Sequence, residues 1–365
     1  MKIGLNAGTL RGLGSSFVGR HLVSALVEKC EDHELVMWVP DVWQWNQKDF
    51  GANVRIMNVA AGALNKGVFE NVHIRREIGR GRIQKLFSLC DASILRCSVP
   101  HLLLVQQAHL VFEENEYGFL LSARAKLRHK MMAQYFKAGM SSVTCFTVQS
   151  QHMKRRLSTR WGIPQGNIVV VPSAIEDIDV SEVAPLSTTP YVCYLASASP
   201  HKNHLLLAEL CAALGNCANE ISCVVTVDRK EVPDLVSMAQ KYGVLNRIVF
   251  VGRLSTLQAR RLLFDALALV MPSKMESFCL PLYEAMSVGC PVVAADEEYA
   301  HDACGDVALY ADVNSGEAFA QHVAALFDSE QKRAYFGKAG QMRFLEMRKS
   351  WPEIAQQYLS IIDST

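Results

Sequence analysis

The sequence predicts an α/β fold built from two Rossmann-like, doubly wound domains that face each other across a cleft. The chain has 365 residues, more than one ordinary hydrophobic core requires. Short apolar, β-branched runs alternate with helical patterns along the chain, as in parallel sheets with crossover helices. A second such series starts at Tyr191, after a stretch rich in acidic residues, Ser, Thr and Pro. We therefore expect two domains of the same class.

The first predicted domain covers residues 1–175. Its strand-like runs are Lys2–Ala7, Glu34–Val39, Val54–Val59, His101–Gln106 and Ser142–Val148. Helical patterns between them include Phe17–Lys29 and Ala123–Ala138. In the latter helix, Leu127, Met131 and Tyr135 recur at helical spacing, which predicts that they pack into the core.

The second predicted domain covers residues 191–340 and follows a linker at residues 176–190. Its strand-like runs are Tyr191–Ala196, Ile221–Val227, Ile248–Val251, Leu267–Pro272 and Pro291–Ala294. The helical patterns are His204–Leu214, Pro233–Tyr242, Thr256–Phe264, Pro281–Val288 and the long stretch Ala334–Asp363. In open sheets of this kind, ligands bind outside the carboxyl ends of the strands.

Composition excludes several classes of protein. Half of the residues are hydrophobic and a fifth are charged, which is typical of globular chains. No apolar run reaches the ~18 residues of a membrane-spanning helix, and the N-terminus does not resemble a signal peptide. The eleven cysteines are scattered without Cys-x-x-Cys spacing. We expect them to be reduced and buried in a cytoplasmic protein that holds no metal.

The net charge of +1 hides an asymmetry between the two halves. Residues 1–175 carry 22 basic and 12 acidic side chains, and the remainder carries 15 and 24. The basic residues form three clusters: Arg75, Arg76, Arg80, Arg82 and Lys85; Arg124, Lys126, Arg128 and Lys130; and Lys154, Arg155 and Arg156. They are either solvated helix faces or the contact for an anionic partner, such as an anionic membrane surface or a pyrophosphate-bearing acceptor. Nucleic acid is not expected, because stacking aromatics do not alternate with the basic residues.

Two glutamates mark the loop and helix after the predicted strand at 267–272. Pro281 is placed to open the helix, because a first-turn proline sacrifices no hydrogen bond. The free N–H groups of the helix start, together with those from Ser277 to Leu280, suit a diphosphate. Glu276 in the loop can accept hydrogen bonds from sugar hydroxyls. Glu284 is expected in the first turn of the helix. By themselves the two glutamates are a weak signal, since a first-turn acid also favours the helix dipole.

Residues 272–293 closely resemble the donor-site signature of the family-4 retaining glycosyltransferases of the GT-B fold, within the group 1 superfamily. The shared pattern is Pro-Ser, Glu, seven residues, Glu, Ala-Met, Gly and Pro-Val-Val, and the resemblance extends in order over nearly the whole chain. It implies transfer from a UDP- or GDP-linked sugar with retention of configuration, without a metal or another cofactor. It also implies that the C-terminal helix, residues 341–365, crosses back to the first domain, anchored by Trp351.

The resemblance also assigns roles to individual residues. Glu276 would orient the transferred sugar, Glu284 would bind the ribose, and Lys202 would bind the donor phosphates. His109 would contact the sugar from the first domain. The remaining donor-binding candidates are Gly14 and Ser15 in a glycine-rich loop, Gly252 and Arg253 beside the nucleobase, and Ser277, Phe278, Cys279 and Leu280 around the diphosphate.

Three positions depart from the family pattern. An arginine expected shortly before Lys202 is replaced by Ala196 or Ser197, the aspartate after His109 is Leu110, and a glycine is Cys279. Charge at the leaving diphosphate would then come from Arg253, or from serine and backbone donors. Both possibilities stay open.

The expected function is transfer of a hexose or N-acetylhexosamine to a glycan or lipid-linked acceptor in bacterial cell-surface polysaccharide synthesis, at the inner face of the cytoplasmic membrane. A nucleotide-sugar epimerase, a sugar phosphorylase and a non-catalytic nucleotide-sugar-binding scaffold are the alternatives. The epimerase would need no acceptor, the phosphorylase would need phosphate, and the scaffold would bind donor without turnover. The one Asp-x-Asp, Asp177 to Asp179, is expected to be a solvated acidic pair.

Overall fold

The computed structural model describes the chain except residues 31, 61, 63–68, 92, 118–120, 186–188, 216, 217 and 219. The chain forms two compact units. The first unit comprises Met1–Ala174 and Lys349–Thr365, and the second comprises Ile175–Arg348. The first unit is therefore built from two separate parts of the sequence.

A parallel sheet of seven strands forms the centre of the first unit. The strands are β1 Lys2–Asn6, β2 Glu34–Pro40, β3 Val54–Val59, β4 Lys85–Ser88, β5 His101–Leu104, β6 Cys145–Val148 and β7 Ile168–Val170. Their order is β3-β2-β1-β4-β5-β6-β7, and every pair is parallel. Strands β4 and β7 were not predicted. Both are short, and β4 begins at Lys85, which sequence reasoning assigned to a basic cluster.

The α-helices of the first unit are α1 Leu13–Lys29, α2 Arg75–Gly79, α3 Glu114–Tyr117, α4 Ala123–Gly139, α5 Gln151–Trp161 and the C-terminal helix Trp351–Ser364. The prediction that Leu127 and Met131 are core residues is wrong. Both lie on the solvent face of α4, with 60% and 65% of their surface exposed. Helix α4 instead buries its opposite side, which carries Phe136 and Gly139.

The C-terminal helix packs on the first unit. Trp351 is buried and its ring stacks on His21 of α1, with the ring centres 5.5 Å apart. Tyr358 stacks on Phe87 of β4 at 4.8 Å. The Lys85 ammonium donates to the carbonyl oxygens of Ile362 and Asp363, at 2.6 and 2.9 Å. Because those carbonyls end a helix, the lysine also satisfies the negative end of its dipole.

The second unit contains a parallel sheet of six strands in the order β10-β9-β8-β11-β12-β13. The strands are β8 Tyr191–Tyr194, β9 Ser222–Val225, β10 Ile248–Phe250, β11 Ala268–Met271, β12 Val292–Ala295 and β13 Leu309–Ala311. Strand β13 was not predicted. Strands β8, β9, β11 and β12 are almost entirely buried, as expected for a sheet covered by helices on both faces.

The α-helices of the second unit are α6 Leu206–Leu214, α7 Pro233–Lys241, α8 Thr256–Asp265, α9 Leu280–Ser287, α10 Glu298–Cys304, α11 Gly316–Phe327 and α12 Glu330–Met347. The C-terminal helix of the first unit is α13. The predicted continuous helix at 334–363 is divided between α12 and α13. A capping box causes this break: Ser350 accepts from the Glu353 N–H at 3.4 Å, and Glu353 accepts from the Ser350 N–H at 2.7 Å. The last helix therefore begins at Trp351, not near 341.

Candidate functional site

The strand order of the second unit defines where a ligand can bind. Strand β8 lies between β9 and β11, so the chain moves from β8 towards one edge of the sheet and later returns to the other side. Such a switch point leaves a crevice at the carboxyl ends of the two strands. Lys202 lies in the loop after β8 and Glu276 in the loop after β11. The fold thus brings together two candidates that are 74 residues apart in sequence.

Lys202 and Glu276 form an ion pair. The Lys202 Nζ lies 2.5 Å from Glu276 Oε1, and both side chains are largely buried. The backbone joins the same two loops, because the Lys274 N–H donates to the His201 carbonyl at 2.9 Å. A lysine held this way is a compact cation that a diphosphate can attract away from its carboxylate.

Two buried tyrosines form hydrogen bonds to these two loops. The Tyr194 hydroxyl, at the end of β8, donates to the Lys202 carbonyl at 2.7 Å and lies 3.0 Å from the Ser273 hydroxyl. The Tyr299 hydroxyl donates to the Ser273 carbonyl at 2.9 Å. Burial raises the pKa of both phenols well above the ordinary value, with the Glu276 charge adding to the effect. Sequence reasoning missed both residues, although a tyrosine ending an apolar strand was a visible signal.

Helix α9 starts one residue earlier than predicted. Cys279 is its N-cap and has a left-handed backbone, with φ 61° and ψ 64°. Ser277 and Phe278 therefore lie in the loop, Leu280 is the first helical residue, and Pro281 follows it. No side chain caps this helix start, so its first N–H groups remain available to an anion. The Phe278 ring stacks on Tyr283 at 4.3 Å.

Glu284 lies in the second turn of α9, not in the first as predicted. With Leu280 as the first helical residue, the first turn contains no acidic side chain. Glu284 pairs instead with Arg260 of α8, whose Nη2 is 3.3 Å from Glu284 Oε1. Burial raises the pKa of Glu284, and the Arg260 charge opposes that rise.

Arg260 is a functional candidate that the sequence did not indicate. Only 3% of its surface is exposed. Its Nε and Nη1 are buried without a hydrogen-bond partner among the described residues. Burial lowers its pKa, whereas Glu284, Glu176 and Asp177 raise it. Asp177 also pairs with Arg348 at 3.2 Å.

Gly252 and Arg253 follow β10 at the same end of the sheet. Gly252 has a positive φ of 66°, and a Cβ there would lie 3.0 Å from Asp228 Oδ1. This close approach explains the glycine. Arg253 is exposed, and its Nη2 lies 3.8 Å from Glu231 Oε1. The structure does not bring Arg253 into contact with Lys202 or Glu276.

Gly14 and Ser15 lie in the first unit and are helical. Helix α1 begins at Leu13 with Gly12 as its N-cap, so the predicted glycine-rich loop is shorter than expected. The Ser15 hydroxyl donates to the Gly12 carbonyl at 3.3 Å. Again no side chain caps the helix start. The candidates Gly14 and Ser15 thus offer first-turn N–H groups rather than a loop.

His109 also belongs to the first unit, in a short 3-10 turn from Ala108 to Leu110 after β5. Its ring is buried and stacks on His129 of α4, with centroids 4.3 Å apart. Its carbonyl accepts from Arg160 at 2.7 Å. Burial lowers the pKa of His129, and the charge of Arg128 adds to this effect.

Among the described residues, no group of three His, Cys, Asp or Glu side chains is arranged to hold a metal ion. No helix in the described parts of the chain is long and apolar enough to cross a membrane. The cysteines that the structure describes are all free thiols.

Solved structures share this fold over their whole length. Sucrose-phosphate synthase from Thermosynechococcus elongatus is 17% identical with a TM-score of 0.75, each chain covered completely. HepE from Anabaena, in complex with UDP and glucose, is 16% identical with a TM-score of 0.72, again with complete coverage of both. WaaG, a glycosyltransferase involved in lipopolysaccharide biosynthesis, is 12% identical with a TM-score of 0.74, with 99% of each chain covered. A comparison with curated protein sequences finds no match.

The chain has the GT-B fold of these solved glycosyltransferases. Residues 177–343 match the family model of the glycosyl transferases group 1. This span is nearly the whole second unit, and it contains Lys202, Arg260, Glu276 and Glu284. The second unit thus carries the sequence pattern of this family.

Proposed function

We propose that this chain moves a hexose or N-acetylhexosamine from a UDP- or GDP-linked donor to a glycan or lipid-linked acceptor, with retention of anomeric configuration and without a metal. The observation that carries the proposal is the Lys202–Glu276 ion pair at the switch point of the second sheet. This pair supports the proposal because it combines a cation suited to a diphosphate with a carboxylate suited to sugar hydroxyls.

The difficult step is departure of the nucleoside diphosphate from the anomeric carbon. The carbon–oxygen bond breaks with its electron pair going to the diphosphate, so negative charge grows there while the sugar becomes oxocarbenium-like. Preorganised positive charge is the largest help that a protein can give to such a step. Lys202 and the uncapped start of α9, with the N–H groups from Ser277 to Leu280, supply it.

The carboxylates of Glu276 and Glu284 bind the sugar and the ribose of the donor. Glu276 orients the sugar through its hydroxyls once Lys202 turns to the diphosphate. Glu284 accepts hydrogen bonds from the two ribose hydroxyls, and the Arg260 charge opposes the rise in its pKa that burial causes. Gly252 and Arg253 contact the nucleobase. No residue is assigned as a covalent nucleophile, and the acceptor hydroxyl attacks from the face that the diphosphate leaves.

The first unit contributes the acceptor side and part of the donor contact. The first-turn N–H groups of Gly14 and Ser15 approach the diphosphate, and His109 contacts the transferred sugar. The carboxyl ends of β2 and β3 border a cavity of about 430 Å³. Its lining includes the rings of Phe69 and His73, which are at least partly exposed and suit the apolar face of an acceptor sugar.

The acceptor belongs to a cell-surface polysaccharide and is carried by a lipid at the inner face of the cytoplasmic membrane. The excess of 22 basic over 12 acidic residues in positions 1–175 supports an anionic acceptor or membrane surface. The resemblance in fold to WaaG, involved in lipopolysaccharide biosynthesis, is consistent with this role. HepE, solved with UDP and glucose, makes UDP the first nucleotide to test.

Calorimetric titration with UDP and with GDP tests the donor site, with Glu284→Gln and Glu284→Ala as variants. We expect one nucleotide to bind selectively and both variants to lose that binding while staying folded by circular dichroism. Binding of neither nucleotide to the wild type would contradict the donor site.

Turnover distinguishes the proposed activity from its alternatives. Incubation with donor and acceptor should yield a product whose anomeric configuration, read by NMR, matches the donor, and EDTA should not stop the reaction. Interconversion of donors without acceptor would indicate an epimerase, and donor binding without turnover would indicate a scaffold.

A further inference from the structure

Helix α4 carries an exposed apolar stripe that the fold does not use. Leu127 and Met131 are one turn apart, and 60% and 65% of their surface is exposed. At about 100° per residue, Leu127, Met131, Gln134 and Ala138 fall within a sector of about 60°. All four are exposed. The opposite side of the helix, with Phe136 and Gly139, is buried in the first unit.

Basic side chains border this stripe on both sides. By the same helical geometry, Arg124 and Arg128 fall on one border and Lys126, Lys130 and Lys137 on the other. The helix contains no acidic residue. None of the five forms an ion pair among the described residues, so their charge faces solvent. The surface formed by these nine residues is called the α4 face below.

Neighbouring acids do not neutralise the α4 face. Glu116 pairs with Arg156 of α5 at 2.7 Å, and Glu113 lies 4.0 Å from Arg160 of the same helix. These two carboxylates, which precede α4 in the chain, are thus engaged elsewhere. In the part of the chain that the structure describes, no carboxylate forms an ion pair with the basic side chains of the α4 face.

Several members of the other two predicted basic clusters form pairs within the fold. Arg55, Arg80 and Arg82 surround Glu77, with nearest contacts between 3.1 and 3.5 Å. Burial opposes ionisation of Glu77, but the hydrogen bond and charge of Arg82, with Arg55 and Arg80, lower its pKa overall. Lys85 holds the end of α13. Among the described residues, the second cluster combines unpaired charge with two large exposed apolar side chains, Leu127 and Met131.

We propose that the α4 face docks the first unit onto an anionic lipid bilayer, with Leu127 and Met131 entering the interface between headgroups and acyl chains. A central apolar stripe between two basic borders is the arrangement by which amphipathic helices lie in that interface. The arginines and lysines then meet anionic headgroups. This inference extends the acceptor half of the proposed function, because the surface would bring the enzyme to a lipid-linked acceptor.

Vesicle flotation tests the proposal with the full-length protein. We expect binding to vesicles of phosphatidylcholine mixed with phosphatidylglycerol, weaker binding at high salt, and little binding to phosphatidylcholine alone. Leu127→Gln with Met131→Gln should weaken binding to the anionic vesicles more than tenfold. Lys126→Gln with Lys130→Gln should weaken it by roughly fivefold for each lost charge.

A matched control uses equally exposed apolar residues of the second unit. Met342 and Leu345 of α12 expose 56% and 54% of their surface, and Met342→Gln with Leu345→Gln should bind vesicles as the wild type does. Nucleotide affinity should be unchanged in all three double variants, so loss of the donor site is detected separately. The proposal would be overturned if the wild-type protein does not bind anionic vesicles. It would also be overturned if the double variant of Leu127 and Met131 binds them as the wild type does, or if the protein binds RNA more tightly than vesicles.

Discussion

The guanidinium of Arg260 lies 3.3 Å from the carboxylate of Glu284, and only 3% of the arginine is exposed. The pair joins helix α8 to the helix that opens the donor site. A buried carboxylate keeps its charge only if a cation compensates for lost hydration. Arg260 is thus a positioning residue for Glu284, the proposed ribose acceptor.

Arg260→Met should destabilise the fold and weaken nucleotide binding. Breaking a buried pair by removing one partner costs about 3–5 kcal/mol. Without the arginine, the pKa of Glu284 rises further. When the pKa of a carboxyl is raised by folding, the folded protein loses stability as the pH rises through that pKa. Thermal unfolding across pH should therefore show a deficit relative to wild type that grows towards higher pH.

The double variant Arg260→Met with Glu284→Gln is the control for this prediction. It removes the titrating group, so its own stability should show no pH dependence from position 284, and the difference in stability between the single and the double variant should change with pH. Arg260→Met should not change the affinity for a 2′,3′-dideoxy nucleotide, because this nucleotide lacks the two hydroxyls that would donate hydrogen bonds to Glu284. A pH-independent deficit in the single variant, or equal losses for ribose and dideoxyribose nucleotides, would contradict the role assigned to Arg260.

Tyr194→Phe should reduce nucleotide affinity and turnover although Tyr194 touches no ligand. Its hydroxyl donates to the Lys202 carbonyl and contacts Ser273, so the variant loosens both loops. Unpairing buried groups costs about 1–3 kcal/mol of stability. Titration calorimetry with the diphosphate and thermal unfolding measure the two effects.

Tyr191→Phe is the matched control. Tyr191 lies in the same strand and donates to the Leu262 carbonyl at 2.9 Å, away from both loops. We expect a similar loss of stability with unchanged nucleotide affinity. Equal losses of affinity in the two variants would show that Tyr194 acts through general stability alone.

Lys202→Met should weaken binding of the nucleoside diphosphate and leave the nucleoside unaffected. A charge-assisted hydrogen bond is worth about 1.5–3 kcal/mol, or roughly 10–150-fold in affinity. Glu276→Gln should bind the diphosphate at least as tightly as the wild type, because Lys202 no longer has a carboxylate partner, while turnover falls. Weaker diphosphate binding in Glu276→Gln would contradict the competition between carboxylate and diphosphate for Lys202.

Cys279→Gly should be tolerated, whereas Cys279→Val should not. Cys279 has a left-handed backbone with φ 61°, which glycine adopts freely and a β-branched residue adopts only with strain. We expect valine to cost about 1–3 kcal/mol and glycine to stay within about 1 kcal/mol, since relief of strain offsets lost burial and added chain entropy. Denaturant unfolding of both variants measures the difference.

The loop between β11 and α9 could be located from the sequence because the residues that mark it are close neighbours in the chain. Glu276, Pro281 and Glu284 lie within nine consecutive residues, and a strand followed by a helix fixes their arrangement. Sequence reasoning assigned Lys202 and Glu276 to the same donor site, but it did not predict that their side chains pair with each other. One-residue errors at the helix start came from the left-handed Cys279, which moved Glu284 from the first turn to the second.

Other features depend on packing that spacing does not reveal. Arg260 reads as one more polar residue of an amphipathic helix, and its burial follows only from contact between α8 and α9. Helical spacing identified the stripe with Leu127 and Met131 but not which side of α4 turns inward, because Phe136 and its neighbours form a competing apolar side. Short strands such as β13, with three residues, lack enough length for a pattern.

The return of α13 has a consequence for synthesis on the ribosome. Phe87 of β4 is made early, whereas its stacking partner Tyr358 emerges only after the whole second unit has been translated. Domains generally fold as units in the order of their synthesis, but here the earlier unit must wait for the last segment to cover β4. The second unit can thus mature first, and the nascent first unit keeps an apolar patch that chaperones can recognise until translation is complete.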